Sequence, residues 1–240
     1  MDYGLVLLKC LGIGEKSIIK LRNYKMIFKK KIETLKDNQD IISVEENFLN
    51  LKFFSRIMSN VEHFVFFGTL LGLIRDGNLI ENDDDIDLYV NIKDREKLIQ
   101  ILKDNSIYVD LDLKVNKNKS FLQVKRDINN KNAIVDFYFY EDDLDEYHII
   151  EKWNFEGGTH KVSEHLRIPK IFIHPIKQKK IKSININFPA EPIYLCEFLY
   201  GKNWKVKMKK DSEYVIKVID GKPVLFKVKK TFFGTKHYIE

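Results

Sequence analysis

Apolar residues recur every three or four positions through SVEENFLNLKFFSRIMSNVE (residues 43–62), placing Phe48, Leu51, Phe54, Ile57, Met58 and Val61 together. That spacing predicts an amphipathic helix, with Ser43 where a capping hydroxyl would bond the first free amides. The pattern then shortens. HFVFF (63–67) is an aromatic and β-branched run ending at Gly68, and it predicts a short strand. TLLGLIR (69–75) predicts a short helix, DGN (76–78) a turn and DIDLYVN (85–91) the next strand. Helical spacing returns in KDREKLIQILKDN (93–105), with Leu98, Ile101 and Leu102 on one face.

Three strand candidates follow: IYVDLDLKV (107–115), SFLQVKRD (120–127) and NAIVDFYFY (132–140), joined by the polar turns NKNK and INNKN. EDDLDE (141–146) predicts an exposed loop. Beyond a mixed region, IFIHPIKQKKI (171–181) and ININFPA (184–190) lead into EPIYLCEFLYG (191–201), a helix closed by Gly201. YVIKVIDGKPVLFKVKK (214–230) predicts a hairpin with Asp-Gly at its turn. The sum is an α+β (α/β) fold, a mixed sheet flanked by helices. Its expected organisation is a basic, amphipathic N-terminal segment (1–40), a central domain (41–210) and a β-hairpin extension (211–240).

Composition narrows the class without naming a function. A chain of 240 residues, 44% apolar and 32% charged, buries a real core and is not disordered. The formal charge of +6 favours anionic partners mildly, since the abundance of Lys, Ile and Asn also fits an AT-rich coding sequence. Cys10 and Cys196 lie far apart and form no C-x-x-C pair, so no zinc site or disulfide framework is implied, and a reducing compartment is expected. The apolar run GLVLLKCLGIG (4–14) is too short to cross a bilayer, is interrupted by Lys9 and lacks a signal-peptide pattern. The basic stretch KSIIKLRNYKMIFKKK (16–31) after it has two readings: a helix packed on its own domain, or one resting on an anionic membrane surface.

Chemistry concentrates in DDDIDL (83–88). On a strand, Asp85 and Asp87 project from one face with Cα atoms about 6.5–7 Å apart, while Ile86 faces the core. Left alone, the two carboxylates repel and one tends to hold a proton. A magnesium (or manganese) ion resolves the conflict, because it takes one or two carboxylates plus substrate phosphates. Asp136, the lone carboxylate in an apolar and aromatic run, is the expected third ligand, since burying it unpaired would cost several kcal/mol. Gly68 and Thr69, where a strand opens into a helix, would let backbone amides approach a phosphate. Glycine, hydroxyl, Asp-x-Asp and a later lone Asp in this order are the signature of a nucleotidyltransferase fold. An EF-hand loop starting at Asp83 fails, because Leu88 stands where Gly is required and Asp94 where Glu is required. A solvated acidic loop explains Asp83 and Asp84 but not the strand periodicity that follows.

GTLLGLIRDGNLIENDDDIDLYV (68–90) resembles the LicD family, which includes fukutin and fukutin-related protein. IHPIKQKKIKSININFPAEPIYLCEFLYGKNWKV (173–206) is similar to the family's later segment, with a helix ending in Tyr-Gly and a following Trp. The resemblance covers roughly residues 45–206, and Asp136 falls where the family has its third acidic strand. Asn82 stands where the family usually has Trp, and the zinc-binding cysteines of fukutin-related protein have no counterpart, so zinc is not implied.

The resemblance implies transfer of a phospho-alcohol (phosphocholine, ribitol phosphate or glycerol phosphate) from a CDP-linked donor to a glycan hydroxyl, releasing CMP, in cell-surface polysaccharide modification. Asp85, Asp87 and Asp136 would hold the metal, and Asp136, or Asp83 at the mouth of the site, would take the hydroxyl proton. Gly68 and Thr69 would cradle phosphate. Arg75 would neutralise developing charge, or else pair with Asp76 or Glu81. Tyr200, Gly201 and Trp204 would line the donor site, or simply seal a helix end. The acceptor glycan would be free or lipid-linked, and the work cytoplasmic or at the inner membrane face.

Two other function classes remain open on the residues alone. A nucleotidyltransferase in the literal sense would use the same metal site but release pyrophosphate. A non-catalytic module would use the Lys-rich stretch 170–182, but nucleic acid is not expected there, since no recognition-motif signature is present. The six histidines lack metal-ligand spacing.

Overall fold

The computed structural model describes residues 42–112, 116, 119–151, 165–208, 214–231 and 234–239. Both readings of the basic N-terminal segment lie outside these residues. Helix α1 (Val44–Ile57) starts where expected, in a capping box: the Ser43 hydroxyl accepts from the Glu46 amide and the Glu46 carboxylate accepts from the Ser43 amide. Glu46 also reaches Asn129 (3.2 Å) and Lys131 (3.2 Å) in the turn between two later strands. The Ser43 amide, helped by Asn129 and Lys131, lowers the Glu46 carboxyl to about 2.

Strand β1 (His63–Val65) is two residues shorter than its sequence suggests, and helix α2 (Phe67–Arg75) starts two residues earlier. The reason lies at Phe66. Its extended backbone donates to the Asp87 carbonyl (3.1 Å) while its own carbonyl accepts from the Leu70 amide (2.9 Å), so the first turn closes there. Strand β2 (Asp85–Asn91) has the expected limits. A 3₁₀ turn (Ile92–Asp94) precedes helix α3 (Arg95–Asp104), which buries Leu98, Ile99 and Leu102 and leaves the expected Ile101 half-buried.

The strand expected over 107–115 does not form in its described part, 107–112. The Ile107 amide instead closes the end of α3 on the Leu102 carbonyl (2.9 Å), and the Asp110 side chain turns the chain by accepting from the Asp112 amide (2.9 Å). Local side-chain bonding wins there over period-two alternation.

Strands β3 (Phe121–Ile128) and β4 (Lys131–Asp142) form a hairpin, and β4 runs two residues into the stretch expected as a loop. Two four-residue strands that the sequence did not mark, β5 (His148–Glu151) and β6 (Leu166–Pro169), complete a six-stranded sheet. Its order is β1-β2-β4-β5-β6, with β3 also on β4. The β2–β4 pair is parallel and all the others are antiparallel.

A short helix α4 (Lys170–Ile173) leads to the hairpin β7 (Lys177–Ile181) and β8 (Ile184–Phe188), then to helix α5 (Pro192–Tyr200), capped at Gly201 with φ 78°. The C-terminal hairpin, β9 (Tyr214–Ile219) and β10 (Lys222–Thr231), turns at Asp220 and Gly221, both with positive φ (51° and 76°). A further strand, β11 (Gly234–Ile239), extends it to three. Among the described residues no helix is long and apolar enough to cross a membrane.

The two faces of the sheet differ. Phe54 of α1 meets Phe137 edge-on (5.8 Å) and Arg95 of α3 lies over Phe139 (5.6 Å), so these helices cover the face of odd-numbered β4 residues. Asp136, Tyr138 and Tyr140 take the opposite face. There Phe66 stacks on Tyr89 (3.7 Å) and Phe67 meets Tyr138 edge-on (5.1 Å).

The chain enters β2 through a turn packed on Gly72 of α2. A Cβ at Gly72 would stand 2.7 Å from the Asn78 carbonyl oxygen and 2.9 Å from the Ile80 nitrogen, both backbone atoms. Gly72→Ala therefore forces the turn off the helix, and we expect it to cost about 1–3 kcal/mol of stability. Thermal denaturation checks this; an unchanged melting temperature would mean that the turn yields freely.

Candidate functional site

Alternation along β2 puts Asp85 and Asp87 on the face opposite Ile86, and the parallel pairing sets Asp87 directly beside Asp136. Carboxylate oxygens of Asp85, Asp87 and Asp136 all lie within 4.8 Å of one another. Asp83, Asp84 and Asp85 form a second such group sharing Asp85. Asp87 and Asp136 are 6% and 7% exposed, whereas Asp83 and Asp85 are half-buried toward the opening.

Asp87 is fixed at three points by the turn between β1 and α2. Its carbonyl accepts from Phe66 (3.1 Å), its amide donates to the Thr69 hydroxyl (2.9 Å), and its Oδ2 accepts from the Gly68 amide (2.8 Å). A side chain at this position would push the neighbouring carboxylate ends aside. A Cβ on Gly68 would sit 2.8 Å from Asp83 Oδ2 and 3.2 Å from Asp87 Oδ2. Gly68 and Thr69, expected to cradle phosphate, thus face Asp87 and orient it.

On the other side of the cluster, Asp136 Oδ1 accepts from Gln123 Nε2 (2.8 Å), directly across the β3–β4 ladder. The outward backbone groups of Gln123 are bonded by Asn116, whose Oδ1 accepts from the Gln123 amide (2.7 Å) and whose Nδ2 donates to its carbonyl (3.0 Å). Sequence reading missed Gln123. The available signal was a lone amide inside the apolar run Phe121-Leu122-Gln123-Val124, but it needs the register to have meaning.

The remaining expected residues lie at the other end of α2. Arg75 is bonded to Asp76 through Nε (3.2 Å) and Nη2 (2.8 Å), so it takes the ion-pair option. Seven residues of helix put it about 10 Å from Gly68 along the axis. Arg75, Leu71, Tyr200, Trp204, Val206 and Tyr214 line one small cleft there. Trp204 is buried, its amide bonding the Gly201 carbonyl (3.1 Å), and it seals the end of α5. Tyr200, also buried, is within electrostatic reach of the acidic group. Burial pushes its hydroxyl pKa up, and the charges of Tyr214, Asp87, Cys196 and Asp83 add to this.

Crowding shows in ionisation. Burial raises the Asp87 carboxyl well above its ordinary range, reinforced by Asp85, Asp83 and Asp136 and opposed by the Gly68 amide. Tyr138, beside them, is pushed up first by burial and then by the same carboxylates. An all-oxygen donor set of closely spaced carboxylates fits a hard divalent cation such as magnesium or manganese. Asp85, Asp87 and Asp136 are the residues that could hold it.

Residues 60–191, more than half of the chain, match the family model described as "LicD/FKTN/FKRP, nucleotidyltransferase domain". No curated protein matches the chain. Among solved structures, it is similar to the lincosamide antibiotic adenylyltransferase LnuA with lincomycin bound, at 16% identity and a TM-score of 0.41, over 65% of this chain and 87% of that one. It is also similar to the antibiotic-resistance factor ANT(2'')-Ia, at 14% identity and a TM-score of 0.35, over 65% and 70%. At these scores neither likeness bears on ligands.

Two outcomes follow from the geometry. Asp87 binds its proton more tightly folded than unfolded. Without a cation, this group's contribution to stability therefore falls as pH rises from about 4 toward its raised folded value. Asp87→Asn keeps an acceptor for the Gly68 amide and removes the charge, so it should raise the melting temperature of the metal-free protein at neutral pH by a few degrees and abolish any rise on adding magnesium. Differential scanning fluorimetry across pH, with and without magnesium, reads both effects. Gln123→Leu removes the Gln123 amide from Asp136 Oδ1; we expect a loss of about 1–2 kcal/mol and at least tenfold weaker manganese binding, measured by paramagnetic resonance.

Proposed function

The chain belongs to the LicD/FKTN/FKRP family, and on that footing we propose that it transfers a phospho-alcohol from a CDP-linked donor to a glycan hydroxyl, releasing CMP. The observation that carries this reading is the convergence of Asp85, Asp87 and Asp136 within 4.8 Å on adjacent parallel strands. Family membership suggests a transferase that modifies glycans; the donor, the alcohol and the acceptor are our assignment.

Asp85, Asp87 and Asp136 would hold one or two divalent cations, which when bound neutralise the donor's diphosphate and orient it for in-line displacement. The chain supplies the rest. Gly68 and Thr69 fix Asp87, and Gln123 fixes Asp136, so the ligand set is held before substrate arrives. Of the two candidate bases we assign Asp83. Asp136 commits one oxygen to Gln123 and faces Asp85 and Asp87, whereas Asp83 is half-buried at the mouth beside Gly68. The acceptor oxygen forms a bond to the distal phosphorus as its proton passes to Asp83. The bond from that phosphorus to the bridging oxygen breaks, and CMP leaves with the electron pair. Tyr138 lies beside the carboxylates with Phe67 packed edge-on against its ring, and this aromatic pair limits water on that side. We place the reaction in the cytoplasm, on a free or lipid-linked glycan acceptor.

The test is CMP release from CDP-choline, CDP-ribitol, CDP-glycerol and CDP-ethanolamine, with magnesium and a glycan acceptor. We expect one donor to be turned over and Asp85→Asn to lower the rate by about a thousandfold or more. Pyrophosphate release from CTP, with no CMP from any CDP-alcohol, would replace this reading by nucleotidyl transfer. Turnover unaffected by Asp85→Asn would remove the carboxylates from the chemistry.

A further inference from the structure

The carboxylate face also carries a lysine. Strand β3 alternates, and because Gln123 points to Asp136, Lys125 lies on the same face two residues further on. The ladders give the arrangement. Asp87, Asp136 and Gln123 form one row across β2, β4 and β3; Asp85, Ile134 and Lys125 form the next. Strand spacing puts the Lys125 Cα about 10 Å across from that of Asp85, and about 7–8 Å diagonally from that of Asp136.

Lys125 is exposed, and among the described residues no ion pair or hydrogen bond engages its ammonium. Ile134, half-buried, stands between it and Asp85 as an apolar spacer. A lysine placed merely to neutralise the acids would pair with one of them. Arg75, the other cation considered for the site, is tied to Asp76 at the far end of α2.

We infer that Lys125 binds the phosphate of the donor from the β3 side, opposite the carboxylates, and so makes the site selective for diphosphates. This rests on the proposed function. A diphosphate lying over Asp85, Asp87 and Asp136 has oxygens that these acids cannot contact, and the flexible four-carbon stem of Lys125 carries its charge across Ile134 to them. The competing explanation is generic: among the described residues β3 pairs only with β4, and edge strands commonly carry lysine to block aberrant pairing.

The experiment uses the full chain, Lys125→Met and Lys125→Arg. Manganese binding is measured by paramagnetic resonance, and binding of inorganic pyrophosphate to the manganese-loaded protein by calorimetry. Loss of a charge-assisted contact predicts pyrophosphate binding roughly ten- to hundredfold weaker in Lys125→Met. Manganese affinity should stay within about twofold, with most pyrophosphate affinity retained in Lys125→Arg. Equal pyrophosphate affinity in wild type and Lys125→Met overturns the inference and leaves edge protection as the explanation. Absence of manganese binding to the wild type would instead defeat the underlying reading of the site, and the inference with it.

Discussion

Negative charge gathered on one sheet face is the constraint around which the structure is arranged. Asp87 and Asp136 sit side by side and almost wholly buried, with Asp85 and Asp83 at the opening. Such a group is unfavourable by itself, since burial and mutual repulsion both disfavour ionisation. It persists because neighbouring elements hold its two buried members in place: the β1–α2 turn grips Asp87 by its carbonyl, amide and carboxylate, and Gln123 holds Asp136. Sites that store unfavourable interactions in this way are commonly sites of function.

The supports are themselves supported. Asn116 bonds both backbone groups of Gln123, and Asn47 on α1 donates to the Asp83 carbonyl (2.9 Å). Glu46 ties the start of the same helix to the β3–β4 turn. Gly72 lets the following turn lie on α2, where a Cβ would meet backbone, and Gly68 leaves room for the neighbouring carboxylates. The site is thus a property of several layers, and a substitution one layer out acts through the carboxylates it leaves unheld.

The elements legible in the sequence were those with strong local signals. The capping residue Ser43, the strand Asp85–Asn91, the Gly201 cap and the Asp-Gly turn at 220–221 needed only nearby residues to specify them. Failures came where a local competitor or a distant partner decided. Residues 107–112 alternate like a strand, yet Asp110 turns the chain with its own side chain. The four-residue strands β5 and β6 carry too little pattern to be read without the sheet edge they join. Gly68 and Thr69, expected from their position to cradle phosphate, bond Asp87 in the structure.

By itself the sequence determined that Asp85 and Asp87 share a face, because side chains on a strand alternate with a period of two whatever the strand pairs with. It also made Asp136 conspicuous, through the cost of a lone carboxylate in an apolar run. Only the tertiary structure decided that Asp136 stands beside Asp87, with Gln123 next to it and Lys125 one row away. That depends on the parallel register between strands about fifty residues apart, set by packing of their buried faces, and a one-residue slip would turn Asp136 to the opposite face.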